Sequence, residues 1–145
     1  MIAYLIVKYI HFISIFLVVG SLTLELILIK NQMKRKDIVL LARIDMIYGL
    51  ATIVVLAAGF ILWFAVGKPA EFYSSNWIFI LKLILFGIIG VLSIIPTVFF
   101  LKNRKGAIDD LIIVPGIIRL LVLVEIIILT LLPLCAVLMA NGVGT

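Results

Sequence analysis

The segment AYLIVKYIHFISIFLVVGSLTLELILI, from Ala3 to Ile29, decides the fold of this chain. It is long enough to cross a membrane, because a bilayer core of about 30 Å needs roughly 20 helical residues. It contains the only histidine of the chain, His11, and one carboxylate, Glu25. At about 100° of rotation per residue, these two fall on one side of a helix, with Ser14 and Ser21 beside them. Since an ionisable group is costly inside a span, we expect this polar side to face other helices, a cavity or a ligand.

The composition of the whole chain agrees with a membrane protein. Of its 145 residues, 66% are hydrophobic and only 13% are charged, and the mean hydropathy is +1.44. Apolar residues make up about half of a soluble domain, so this chain is predicted to lie in the lipid bilayer. The net charge of +5 comes from basic residues in short loops, where they set orientation, and it does not indicate a nucleic-acid partner.

Four segments are long and apolar enough to be spans, at about 3–29, 38–66, 77–101 and 116–139. The connections between them are short, so consecutive spans are expected to be antiparallel neighbours. The prediction is an all-α, integral membrane four-helix bundle that forms a single domain over residues 1–145.

The loops indicate how the bundle is oriented. The segments 30–37 and 102–106 are strongly basic, whereas 67–76 is balanced and the tail 140–145 is uncharged. By the positive-inside rule, both termini are predicted to lie outside. Four aromatic residues gather around the outer loop, where amphipathic rings prefer to sit: Trp63, Phe72, Tyr73 and Trp77.

Counting about 1.5 Å per residue from each span's midpoint places His11 and Lys82 in one layer, on the outer side of the midplane. Two interpretations stay open for this pair. Lys82 could extend to the outer headgroups while His11 bonds a neighbouring hydroxyl or carbonyl, or the two could form a functional site.

A second polar layer is predicted near the inner interface. The acids and bases of this layer are Glu25, Arg43, Asp45 and Arg119. We expect them to form a structural ion-pair network, and the alternative is a conducting or catalytic role. Asp45 and Tyr48 are also expected to hydrogen-bond across helices. Glu125 lies closer to the middle than any other charge, either as a proton-carrying site or as a neutral acid bonded to another helix. The phenyl rings and aliphatic stripes are expected to face lipid.

Several kinds of site are excluded by the residues available. A single cysteine, Cys135, allows no disulfide within the chain and no multi-cysteine metal site. A Ser-His-Asp triad fails because Glu25 and Asp45 lie near the interface opposite to His11. No zinc spacing and no phosphate-binding glycine loop is present. A haem site is compatible with the residues of the chain, since an imidazole can bind the haem iron and basic residues can bind its propionates.

One resemblance covers nearly the whole chain. The string Ala42–Leu50, the residues Asn76, Phe79 and Lys82, and the Ser93–Thr97 turn resemble an uncharacterised bacterial family of small predicted four-span membrane proteins, a domain of unknown function. The resemblance implies a multi-pass protein of the bacterial inner membrane and brings no established activity.

A weaker resemblance is to HemJ-type protoporphyrinogen oxidases and related copper-resistance membrane proteins. It is carried by the string Lys8-Tyr9-Ile10-His11 and by Trp77-Ile78-Phe79-Ile80-Leu81-Lys82. It implies a bound haem b that contacts His11, Lys82 and Lys8, with His11 as ligand to the iron and with His11 and Lys82 as the catalytic residues.

These observations lead to three functional hypotheses. The first is a haem- or porphyrin-associated redox protein, an oxidoreductase of the protoporphyrinogen-oxidase type that passes electrons toward a quinone. The second is a non-catalytic subunit of a membrane complex, or a homo-oligomer, docking through the helix face that runs from Asp45 to Trp63 and includes Gly49 and Gly59. The third is a proton or small-ion carrier that uses Glu125 and the inner acids.

Overall fold

The computed structural model describes residues 1–145, and helices dominate it. The helices are α1 (Ile2–Leu28), α2 (Arg35–Ile61), α3 (Ala70–Ser74), α4 (Trp77–Asn103) and α5 (Gly116–Ala140), and a π-helical segment, Leu62–Val66, extends α2. Two short strands, β1 (Gln32–Lys34) and β2 (Leu111–Ile113), are the other regular elements. The prediction of an all-α fold is confirmed.

Four helical segments are long and apolar enough to cross a membrane: Ile2–Leu28, Arg35–Val66, Trp77–Asn103 and Gly116–Ala140. Their bounds lie close to those of the predicted spans. Helix α1 packs mainly on α2 and α4 mainly on α5, while contacts of α1 with α5 and of α2 with α4 close the bundle. The chain is therefore a membrane four-helix bundle.

The two basic loops meet at one end of the bundle, which we call the inner end. Strands β1 and β2 pair antiparallel there, with Met33 opposite Ile112. Beyond the strands, the backbone N–H of Val114 donates to the carbonyl of Asn31 at 2.8 Å and that of Arg35 to the carbonyl of Asp110 at 2.9 Å, so the two loops form one junction.

Arg35 reinforces this junction. Its guanidinium donates hydrogen bonds to the backbone carbonyls of Asn103 (3.2 Å), Lys105 and Ala107 (3.1 Å). It also forms a salt bridge of 3.3 Å with Asp110. One side chain at the start of α2 thus holds the end of α4 and the segment leading to β2.

The opposite end, which we call the outer end, contains both termini. Asn76 is fully buried there, and its side-chain oxygen accepts a hydrogen bond of 2.9 Å from the backbone of Ile78, so this residue caps the N-terminus of α4. Its amide donates to the carbonyl of Val143 at 3.0 Å. The backbone N–H of Trp77 donates to the carbonyl of Gly144 at 3.2 Å. These bonds attach the C-terminal tail to the start of α4.

The polar side of α1 faces the interior, as its spacing predicted. The buried residues of this helix include Ser14, Ser21 and Glu25. They lie beside an apolar core in which Leu22, Leu41 and other aliphatic side chains are almost fully buried: Val18, Ile38, Ile118 and Val122. Large apolar side chains on the opposite faces are exposed, as expected for a surface that contacts lipid.

Candidate functional site

A cavity of about 570 Å³ lies between the four helices in the outer half of the bundle. It is lined by 22 residues, of which 18 are hydrophobic. The other four are His11, Gly59, Lys82 and Pro133. Its size is within the range of small-molecule sites, which are apolar clefts of about 300–1,000 Å³ with few polar groups. The predicted sharing of one layer by His11 and Lys82 is confirmed, since both line this cavity.

The backbone of α2 holds the imidazole of His11. Its Nδ1 lies 3.1 Å from the carbonyl oxygen of Val55. A carbonyl only accepts hydrogen bonds, so Nδ1 carries the proton and donates. In the neutral ring the lone pair is then on Nε2, which makes that nitrogen the acceptor or metal-binding atom of His11.

Lys82 brings a cation to the same cavity without a counter-ion. Its side chain, on α4, is half-buried, and the one salt bridge of the chain joins other residues, Arg35 and Asp110. An ammonium group in an apolar, partly dry site is stabilised by an anion. The cavity therefore combines one unpaired cation, one fixed imidazole and apolar walls.

Aromatic side chains form the outer part of the cavity wall. The ring of Phe79 packs edge-on against Trp63, with centroids 4.7 Å apart, and lies 5.3 Å from the ring of Tyr73. The indole N–H of Trp63 donates to the hydroxyl of Ser74 at 3.3 Å, which fixes this ring. Trp63 belongs to the π-helical segment that extends α2, a distortion that is frequent at functional sites.

Gly59 packs beside the imidazole of His11. A Cβ atom at this position would lie 3.6 Å from Cε1 of His11, in ordinary van der Waals contact. A larger side chain at residue 59 would occupy the place of the ring or of the cavity beside it.

Sequence reasoning missed several residues of this wall. Phenyl rings were expected to face lipid, and for Phe79 and Phe86 that expectation is wrong, since both line the cavity. Hydropathy cannot distinguish a lipid-facing ring from a cavity-facing one, because both surroundings are apolar. The sequence contains one signal for these two rings. Phe79 lies three residues before Lys82 and Phe86 four residues after it, and this spacing places all three side chains on one face of a helix.

Lys8 does not belong to the cavity. It is exposed, and its ammonium lies 5.4 Å from the ring centroid of Tyr4 on the same helix. It lies three residues, about 4.5 Å along the helix axis, nearer than His11 to the outer end of α1, and it is not among the residues that line the cavity. The expectation of a cofactor contact by Lys8 is not supported by its position.

The predicted inner ion-pair network is absent, and this expectation is wrong. Arg43 and Arg119 are exposed, and neither forms a salt bridge. Arg43 directly follows the buried residue Ala42, and Arg119 directly follows the buried residue Ile118. Because each residue turns the side chain by about 100° around the helix axis, both arginines point away from the interior. On the outer faces of α2 and α5, long basic side chains can extend to the inner headgroups.

Asp45, Tyr48 and Glu125 bond across helices, whereas the side chain of Glu25 does not. Thr97 on α4 donates a hydrogen bond of 3.0 Å to Asp45 on α2. Tyr48 on α2 donates one of 3.3 Å to Glu125 on α5. Glu25 forms no salt bridge and is almost fully buried.

The chain's own helices cover part of the helix face predicted for docking. Asp45 is buried and bonded to α4, Gly59 lies against His11 of α1, and Trp63 lines the cavity. Gly49 has no heavy atom within 4 Å of a Cβ added to it, so the face is open there. Docking of a partner through this face therefore stays a prediction.

Comparison with known proteins identifies a family whose description names no activity. The family model described as "Predicted membrane protein (DUF2214)" matches residues 3–144. No curated protein and no solved structure matches the chain.

Proposed function

The chain belongs to the DUF2214 family of predicted membrane proteins, and we propose that it binds a flat, apolar small molecule with an acidic group in its outer-half cavity, with haem or a porphyrin as the first ligand class. The observation that carries the proposal is the unpaired Lys82 beside the anchored imidazole of His11, in a cavity of about 570 Å³ lined mainly by hydrophobic residues. The site would lie in a bacterial inner membrane with both termini outside.

Each part of a porphyrin has a suitable partner in this cavity. The ammonium of Lys82 can pair with a propionate, and a charge-assisted bond of this kind contributes about 1.5–3 kcal/mol. The aromatic wall formed by Trp63, Tyr73 and Phe79 suits a flat ring. Nε2 of His11 has a free lone pair because Nδ1 donates to Val55.

Haem would be held by His11, whose imidazole is the one histidine ligand that the chain offers to the iron. No other histidine exists, and neither methionine nor cysteine lines the cavity. Haem, when bound, would supply one-electron redox chemistry. The residues of the chain would position it: His11 through its fixed ring, Lys82 through its charge, and the apolar walls by excluding water.

An oxidoreductase activity of the protoporphyrinogen-oxidase type is the enzymatic form of this proposal. Within it, His11 and Lys82 would be the catalytic residues, placed against a porphyrinogen substrate, and a membrane quinone would accept the electrons. An anaerobic assay with protoporphyrinogen and a soluble quinone tests it. Activity that requires His11 and Lys82, and survives in Lys8→Gln, would support it.

The binding proposal is tested with the detergent-purified protein, titrated separately with haemin and with metal-free protoporphyrin. We expect an absorbance shift with both ligands. Lys82→Gln should weaken both by about tenfold to a hundredfold, since it removes one charge-assisted bond. His11→Ala should weaken haemin binding much more than protoporphyrin binding, because only haemin has an iron to bind. Lys8→Gln is the matched control for Lys82→Gln. Lys8 is an exposed lysine on α1, the helix that also carries His11, and it does not line the cavity.

The outcomes are separable. No binding of either ligand would overturn the porphyrin proposal. Binding that is equal in the wild-type protein and in Lys82→Gln would show that the ligand lies elsewhere. An effect of Lys8→Gln as large as that of Lys82→Gln would indicate attraction of an acidic ligand to surface charge alone.

Assembly into a homo-oligomer or a larger membrane complex is a separate proposal. The predicted docking face is covered in part by the chain's own helices, so a partner would contact its open part around Gly49 or another exposed apolar face. Mass measurement of the protein in mild detergent, with co-purification from the native membrane, tests it.

A further inference from the structure

A second polar cluster lies in the inner half of the bundle, apart from the cavity. Three acidic side chains are brought together there from three helices: Glu25 on α1, Asp45 on α2 and Glu125 on α5. Their exposed fractions are 1%, 5% and 1%. Asp45 and Glu125 are the charged groups that act most directly on Glu25, so the three form one electrostatic unit.

No cation neutralises this cluster. The one salt bridge of the chain, Arg35–Asp110, lies outside it. Arg43 and Arg119 are exposed, while His11 and Lys82 line the other cavity. The groups that meet the three acids from α2 and α4 are hydroxyls, those of Tyr48 and Thr97.

The hydroxyls satisfy only part of the cluster. Tyr48 donates to Oε2 of Glu125 and Thr97 to Oδ1 of Asp45. Oε1 of Glu25 and Oε1 of Glu125 are buried and have no hydrogen-bond partner. A buried acceptor without a donor costs about 1–3 kcal/mol, and more when it is charged. Two such oxygens in one cluster indicate that a donor is required there.

We propose that Glu25, Asp45 and Glu125 form a proton-binding site that is independent of the outer cavity. A bound proton removes one negative charge from an interior that holds no counter-ion. It also supplies the missing donor, since a neutral carboxylic acid has an O–H that can bond a neighbouring carboxylate oxygen. A cation is a poorer occupant, because no group of three ligating side chains in the chain has the geometry to hold a metal ion.

The position of Glu25 gives the direction of proton exchange. It lies in the last turn of α1, and the backbone N–H of Ile29 bonds to its carbonyl. Asp45 and Glu125 lie further from the helix ends, at about the eleventh and tenth residues of α2 and α5. Glu25 is thus the member closest to the inner end, and protons exchange between the cluster and that side through it.

Infrared spectroscopy of the protein in lipid bilayers at neutral pH tests the site directly. We expect a carbonyl stretching band of neutral carboxylic acid that shifts in D2O, which shows both protonation and exchange. The double variant Glu25→Gln/Glu125→Gln should lose most of this band. Glu71→Gln is the matched control, since Glu71 is an exposed acid near the outer end, and it should leave the band unchanged.

A chemical test checks the same site. A lipid-soluble carbodiimide reacts with neutral carboxylic acids in the membrane interior, so mass spectrometry should find the adduct on Glu25 or Glu125 and none on Glu71. Absence of a carboxylic acid band from the wild-type protein, or a band unchanged in the double variant, would overturn the proposal. A band that does not shift in D2O would contradict exchange. Circular dichroism confirms that the variants keep their helices.

Discussion

At the scale of single residues, the candidate cavity depends on a few side chains with no substitute in the sequence. His11 is the only histidine, and its proposed role as a ligand depends on the bond from Nδ1 to Val55 that directs the lone pair to Nε2. Lys82 differs from the exposed lysines because it lines an apolar cavity without an acid to pair with. Removing either changes the chemistry of the cavity more than its shape.

Gly59 offers a test of the cavity that leaves both polar groups in place. Gly59→Ala adds a methyl at an ordinary contact distance of 3.6 Å from His11, so we expect porphyrin binding to be retained. Gly59→Leu should abolish most binding, because its branched side chain occupies the space of the ring or of the ligand. Titration of both variants with haemin is the measurement. Unchanged binding by Gly59→Leu would place the ligand outside this cavity.

At the scale of secondary-structure elements, the ends of the helices are held by specific polar residues. Asn76 caps α4 and holds the C-terminal tail. Asn76→Ala should lower stability by about 0.5–2 kcal/mol through the lost cap, and further through the lost tail contact. Asn76→Ser keeps a capping hydroxyl and should recover part of this loss. Thermal unfolding in detergent measures the difference, and equal stability of the Ala variant and the wild type would contradict the assigned role.

Arg35 is the corresponding residue at the inner end. It bonds three backbone carbonyls and one carboxylate, so Arg35→Ala should destabilise the bundle by about 1–3 kcal/mol. Asp110→Asn should cost less than about 1 kcal/mol, because Asp110 is 54% exposed and solvent screens the pair. Thermal unfolding of both variants checks the order, and a larger loss for Asp110→Asn would show that the salt bridge, and not the carbonyl contacts, holds the loops.

Sequence reasoning succeeded where one physical quantity decides the structure. Long apolar segments define spans, so the four helices were predictable, and depth along a helix placed His11 and Lys82 in one layer. It failed where the direction of a side chain decides, as for Arg43, which is exposed while its neighbours Ala42 and Ile44 are buried. The pairing of β1 with β2 was also not predictable, because strands of three residues show no period.

At the scale of the whole molecule, the two polar sites lie in opposite halves of one bundle. The outer cavity has cationic and imidazole groups in apolar walls, and the inner cluster has acids without cations. No salt bridge joins the cations of the outer cavity to the acids of the inner cluster, so we treat the two as separate sites. The orientation of the bundle therefore decides which site faces the cytoplasm.

Cysteine labelling determines that orientation. Starting from a Cys135→Ser background, which removes the only cysteine, Ser75→Cys adds an exposed thiol at the outer end and Ala107→Cys one at the inner end. Neither change alters the charge of a loop. The basic loops at the inner end predict, by the positive-inside rule, that a membrane-impermeant maleimide labels Ser75→Cys in intact cells and Ala107→Cys only after permeabilisation. The reverse pattern would place the acidic cluster, with its proton exchange through Glu25, on the outer side of the membrane and the His11–Lys82 cavity in the inner leaflet.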